Sequence, residues 1–298
     1  MTLGVLITNY QAWPATLATL EAVIALCPEA AELAQIIVVD DASDAPSMWD
    51  KDPRVSIHRN AVNLGYVRSV NVGMALMQVD VVILLDCDAR PLTAFAKEVR
   101  RQFAADEKLG ALGFTQTDDS QVLRPSGEPT PTLREFIVGP AFFSRLPAFV
   151  GQWLLPAGRL LCIHSCCMAV RLSAFHKVGG FDESFDFLDG DMDFSWSLLE
   201  HGWNTRITPD IRCFHPGGGS PQSTAQRVLR LHRNRWRLLC KHGRVRWQTP
   251  AKLLLQLRHV VEVGVLAMLC LTPLARRFRT KLMTRWQLLT SVTEGYVR

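Results

Sequence analysis

Asp86-Cys87-Asp88 follows the uninterrupted apolar run Val81–Leu85, and Asp40-Asp41 follows Ile36–Val39. Two carboxylates one residue apart at the end of a buried strand can present oxygens to a hard divalent cation, which in turn can bridge the oxygens of a diphosphate. Alone the pattern is weak, because solvated acids closing a strand end look the same. A third acidic group, Asp189, Asp191 and Asp193, leads into a helical stretch over Phe187–Leu199.

The elements around these acids predict how they are held. Leu3–Thr8, Ile36–Val39, Val55–His58 and Val81–Leu85 read as short strands rich in branched residues. Pro14–Leu26 and Gly65–Met77 read as the helices between them, and Pro91 as the opening of the next helix. Strands that do not alternate apolar with polar residues imply a parallel sheet covered on both faces. The expectation is therefore an α/β fold with a mostly parallel sheet, whose ligands gather at the carboxyl ends of its strands. Residues 116–160 carry six prolines and read as a substrate-facing insertion of short elements. Beyond it, Cys166–Val170 reads as a strand, Ser173 as the N-cap of a short helix ending at Gly179-Gly180, and Arg206–Thr208 and Ile211–His215 as two short strands. From Gln222 onward the chain reads as helical and basic.

Several segments in order carry a resemblance. They are Ile7-Thr8-Asn9-Tyr10, Ile37–Ser43, Asn63-Leu64-Gly65-Tyr66 with Asn71 and Gly73, and Leu84–Asp88. Gly179–Glu183, Gly190–Phe194, Gly202-Trp203 and His215 complete the series. Together they resemble glycosyltransferase family 2, the inverting nucleotide-sugar enzymes with a GT-A (Rossmann-like) fold, and within it the rhamnosyltransferase-like bacterial branch. The resemblance covers residues 3 to 242. It implies that Asp40 contacts the nucleotide base, with Thr8 and Tyr10 at the edge of the base pocket and Asn63 and Gly65 in the turn beside the nucleotide. It implies that Asp88 ligates a divalent cation, Mn2+ or Mg2+, that Asp86 lies near the ribose or the metal, and that His215 completes the metal site. A lone histidine after apolar residues could equally be satisfied in the core. Gly217–Gly219 would suit a loop closing over the diphosphate, or a plain connector.

The resemblance assigns the catalytic base to Asp191. An acceptor hydroxyl has a pKa far above neutrality, so a carboxylate must take its proton as the new bond forms. The family's Glu before this Asp is Gly190 here, with Asp189 one residue earlier. Either Asp189 takes that role or the acceptor contact is absent. Asp193 reads as structural, a helix cap or a partner of Arg171 or Arg206. The expected reaction moves a sugar from a UDP- or dTDP-sugar to a hydroxyl of a glycan or lipid-linked acceptor. Either base would offer Asp40 the same ring N–H.

Charge divides the chain. Of 33 Lys and Arg and 28 Asp and Glu, residues 222–298 hold 16 and 2, leaving 17 and 26 for residues 1–221. The expected domains are accordingly 1–221, with a nucleotide-binding half at 1–115 and an acceptor half at 116–221, and a basic helical extension at 222–298. Such asymmetry points to a polyanionic partner. The extension mixes cations, indole rings and apolar stripes, as an interfacial amphipathic helix requires. The plainer alternative is a helical cap with its basic face in water. Its most apolar stretch, Val263–Leu274, is too short to span a bilayer. Eight scattered cysteines and an N-terminus that begins with a strand, without a basic leader, predict a reducing cytoplasm, with peripheral membrane contact on its inner face. A membrane- or nucleic-acid-binding protein using the basic extension would explain the charge split but leaves the ordered acidic motifs without purpose. A nucleotidyltransferase would resemble a Gly-rich basic loop after the first strand, where this chain has Asn9-Tyr10-Gln11-Ala12-Trp13.

Overall fold

The computed structural model describes the chain except residues 46–48, 50, 140–159, 187, 217–223, 274 and 295–298. The expected Gly217–Gly219 loop and much of the proline-rich insertion lie outside the described residues. In chain order the elements begin β1 (Leu3–Asn9), α1 (Trp13–Leu26), β2 (Gln35–Asp40), β3 (Val55–Arg59), α2 (Tyr66–Leu76) and β4 (Val81–Asp86). Next come β5 (Arg90–Pro91), α3 (Ala96–Ala105), β6 (Leu109–Thr117), β7 (Arg124–Pro125), β8 (Gly127–Pro129), α4 (Leu133–Val138) and β9 (Leu161–Ile163). Then follow β10 (Cys167–Arg171), α5 (Leu172–Val178), α6 (Gly190–Glu200) and β11 (Asn204–Phe214). Helices α7 (Thr224–Lys241), α8 (Gln248–Leu269) and α9 (Ala275–Glu294) come last.

The chain forms two compact units, Met1–Thr130 with Leu160–Gly219, and Pro131–Arg159 with Ser220–Arg298. The first holds a sheet in the order β3-β2-β1-β4-β10-β6-β11-β5, with β7 paired to β6. Its first four strands are parallel, as expected. The second half is mixed, because β10 lies antiparallel between β4 and β6, and β5 and β7 are antiparallel edge pieces. Along β1, β2 and β4 the side chains alternate between two separate cores. Val5, Ile7, Val38 and Ile83 pack on one face and Leu6, Val39, Val82 and Leu84 on the other. Burial on both faces is why these strands carry no polar alternation.

Three local expectations change. Pro91 does not open a helix. It pairs with Cys213 in β5, and α3 starts only at Ala96. The N-cap of α5 is Arg171 rather than Ser173, although the helix does end at Gly179 in the left-handed conformation. The two short strands near Arg206 and Ile211 are one strand, β11, with a register irregularity between Ile207 and Arg212. Neither Arg171 nor Arg206 serves Asp193. Arg171 donates to the carbonyls of Phe103, Asp106 and Leu109, and Arg206 to the side chains of Gln102 and Asp106. All eight cysteines are free thiols.

Two residues of the motif series turn out to be joints. The Asn71 side chain donates to the Phe181 carbonyl and accepts from the Phe181 N–H, tying α2 to the turn before α6. Gly73 lets α2 lie close on the sheet. A Cβ there would stand 2.3 Å from Leu6 Cδ1 and 3.0 Å from Val39 Cγ2. Gly73→Val is expected to destabilise the protein by about 1–3 kcal/mol through overpacking, measured as a lower urea midpoint at unchanged slope.

Candidate active site

The parallel strands stop together, and the site forms where they stop. Thr8 of β1 pairs with Val39 on one side and Asp86 on the other, so the end of β4 is brought beside the end of β1. Asp88 lies two residues beyond β4, just before β5. Across β5, Arg90 pairs with Phe214, and the Arg90 guanidinium sits 4.8 Å from the Phe214 ring centre. The next residue, His215, donates its N–H to the Thr117 carbonyl at 2.8 Å. This short pairing carries the His215 imidazole back to the acids. Its Nε2 lies 3.8 Å from Asp86 Oδ2 and 3.5 Å from Asp88 Oδ1.

One ligand atom from each of Asp86, Asp88 and His215 lies within 4.8 Å of the others. Asp86 Oδ1 is buried and meets no hydrogen-bond partner among the described residues. A desolvated carboxylate oxygen with no donor is costly, and a cation bound at the three residues would satisfy it. Two carboxylates and an imidazole fit a divalent cation such as Mn2+, which would leave coordination positions for diphosphate oxygens. Burial pushes Asp86 up to about 6, with Asp88 adding to the rise and His215 opposing it. Burial opposes the charged form of His215, but the Cys166 sulfur and the two carboxylates outweigh it and raise the group to about 9.

Asp191 sits in the first turn of α6. Its Oδ2 accepts from the Ser165 N–H at 3.1 Å and its Oδ1 from the Met192 N–H at 2.9 Å. Burial raises its pKa, and the neighbouring Asp189 raises it further. The cation cluster and Asp191 meet through one turn. Ser165 holds Asp191, and the adjacent Cys166 carbonyl accepts from the Asp86 N–H at 3.0 Å. The negative charge of Asp191 is felt at Asp86, and the Tyr66 hydroxyl lies against Ser165 between the fields of both acids. Burial and these two charges push Tyr66 well up.

Asp189 is buried and holds φ at 64°, a left-handed conformation that an aspartate tolerates. At Gly190 a Cβ would stand 3.2 Å from Val67 Cγ2. A glutamate side chain at this position would therefore start against α2.

The expected base-pocket residues fare differently. Thr8 is buried at its strand end, and Tyr10 is half exposed just beyond. Asn63 is exposed and its side-chain oxygen accepts from the Gly65 N–H. Gly65 has φ of 83° and caps α2 with its N–H on Asp41. Asp40 is wholly buried. Its Oδ1 accepts from Asn9 and Ser43 and its Oδ2 from Arg59. Asp41 accepts from Asn60 and from the N–H groups of Leu64 and Gly65, which shapes the turn leading to Tyr66. Tyr66 and Ser165 were not among the expected site residues.

Residues 4–179 match the family model of glycosyl transferase family 2. The chain belongs to that family. It is 28% identical over 154 residues to an N-acetylglucosaminyl-diphospho-decaprenol L-rhamnosyltransferase of Mycobacterium tuberculosis, covering 49% of this chain and 50% of that one. The chain thus spans about half the length of the curated relatives it matches. A crystal structure of GalNAc-T7 with UDP, GalNAc and Mn2+ is similar at a TM-score of 0.55 and 15% identity, over 80% of this chain and 48% of that one. The mannosyltransferase PcManGT of Pyrobaculum calidifontis, in complex with GDP-Man and Mn2+, is similar at 0.53 and 13%, over 99% and 86%. These likenesses identify the fold as GT-A.

The raised pKa of His215 gives the family 2 site a pH signature. Asp86, Asp88 and the Cys166 sulfur favour the protonated imidazole, so a cation bound at this cluster would have to displace that proton. Mn2+ affinity is therefore expected to rise by about tenfold per pH unit between pH 7 and 9. Calorimetry in buffers of different ionisation enthalpy checks this as proton release on binding, and His215→Gln should flatten the dependence.

Proposed function

We propose that this chain is an inverting glycosyltransferase that moves a sugar from a UDP- or dTDP-sugar to a hydroxyl of a glycan or lipid-linked acceptor, in bacterial surface polysaccharide synthesis. One observation carries the reading: a cation-ligand cluster and a separate buried carboxylate share the Ser165-Cys166 turn. The similarity to a rhamnosyltransferase makes a deoxyhexose on dTDP the first donor to try, with a polyprenyl-diphosphate sugar as acceptor. A lipid-linked acceptor would bring the enzyme to the cytoplasmic face of the plasma membrane.

In this reading Asp88 and His215 ligate the cation, with Asp86 completing the group and bordering the ribose. When bound, the cation offsets the negative charge that develops on the departing nucleoside diphosphate. Asp191 is the base. Each of its oxygens accepts one backbone N–H, and each keeps a second lone pair, so a hydroxyl proton has somewhere to go. Its raised pKa makes it a stronger acceptor for that proton. Tyr66, between Asp86 and Asp191, positions the acids through its contacts with Ser165 and Asp86. Thr8, Tyr10, Asn63 and Gly65 line the nucleotide side, and Asp40 serves it by fixing Arg59 and Ser43. Residues 1–115 would then bind the nucleotide and 116–221 the acceptor.

Asp191→Asn is expected to fold and to bind Mn2+ and nucleoside diphosphate normally. Its transfer rate should fall by about a hundred- to ten-thousand-fold. Turnover assays with UDP- and dTDP-sugars, with product anomers read by NMR, check both base and stereochemistry. Near wild-type turnover would remove the assignment.

A further inference from the structure

Helix α8 wears its polarity inside out. From Ala251 to Leu271 the exposed positions are Leu253, Leu254, Leu257, Val260, Val261, Gly264, Val265, Ala267, Met268 and Leu271, without a single charge among them. They recur at three- and four-residue steps and so form one stripe along the helix, about 22 Å from Leu253 to Met268 at 1.5 Å per residue. The ionisable groups of the same stretch turn the other way. Arg258 donates to the carbonyls of Phe136 and Ile137 and pairs with Glu262, which also accepts from Arg285 of α9. His259 is fully buried beside Glu262. A helix with one side in water shows the reverse pattern.

The stripe ends where α9 begins, and α9 begins with exposed cations: Arg276, Arg277, Arg279 and Lys281. Val261 and Val265 of the stripe also line a cavity of about 620 Å³ whose wall carries Lys281 and the ion-paired Glu262 and Arg285. The apolar stripe thus runs up to the Lys281 cation. Trp286 of α9 is half exposed, an amphipathic ring of the kind that settles at headgroup level. Among the described residues no helix is long and apolar enough to cross a membrane, and the inward Arg258 and Glu262 interrupt α8 midway.

We infer that the C-terminal helical unit docks on an anionic lipid bilayer, with α8 lying in the plane of the interface and its outward face in the acyl boundary. Contiguous apolar surface with adjoining cations is what such a surface binds. A second copy of this chain fits less well, since it would bring two sets of like charges together. A nucleic acid would find no use for the apolar stripe. The inference concerns the helical unit alone and does not depend on the transfer reaction.

Flotation of the full chain with phosphatidylcholine vesicles, with and without phosphatidylglycerol, tests it. The wild type is expected to float with the anionic vesicles. Leu257→Asp/Met268→Asp should lose binding by about tenfold or more. Arg276→Glu/Arg277→Glu/Arg279→Glu should lose about fivefold per cation and most of the salt dependence. All five positions are exposed, and unchanged thermal melting with unchanged Mn2+ binding shows that the variants fold. The inference is overturned if the wild type stays unbound, or if the aspartate variant floats as well as the wild type. It is equally overturned if light scattering finds a dimer that this variant dissolves while neither protein floats.

Discussion

Two consecutive residues, Ser165 and Cys166, hold the acidic cluster and Asp191 together. The Ser165 N–H is bound to Asp191, and the Cys166 carbonyl to the N–H of Asp86. One end of that link fixes the first turn of α6 and the other fixes the exit of β4. Because β10 starts at the next residue and runs between β4 and β6, the turn cannot drift without breaking the middle of the sheet. The spacing between the end of β4 and the Asp191 carboxylate is therefore fixed by backbone groups of a single turn.

The acids themselves oppose this arrangement. Asp86, Asp88, Asp189 and Asp191 gather negative charge in a partly desolvated space, and the elevated Asp86 and Asp191 express that strain. His215 is the internal counterweight. Its placement rests on β5, only two residues long, pairing with the end of β11. An edge piece that small earns its place through where it delivers the imidazole.

The first half of the fold was legible because each strand there is a continuous apolar run, and burial on both faces leaves no other reading. The acid pairs were legible because they end those runs abruptly. Pro91 misled, since proline suits a helix start and an edge strand equally, and only the distant Cys213 decides between them. The antiparallel insertion of β10 has no local signature at all. Ser165 acts through its amide, which every non-proline residue carries, so its type could not announce it. Tyr66 was visible within a motif but reads as packing until Asp86 and Asp191 are seen around it. Asp40 reads as a strand-end acid, but its partners Asn9, Ser43 and Arg59 come from three separate segments and are evident only in space.

The proline-rich excursion leaves and re-enters the first unit through a narrow neck. Strand β8 pairs with β9, and the Thr130 N–H closes the neck on the Leu160 carbonyl at 2.8 Å. Whatever the chain does between Pro131 and Arg159, its two ends are already tied, so changing the length between them adds little closure entropy. Beyond the neck the chain is no longer part of the sheet's unit: Phe136 of α4 packs with Trp236, Leu239 and Leu255, so a segment that departs from the middle of the first unit helps to build the core of the second.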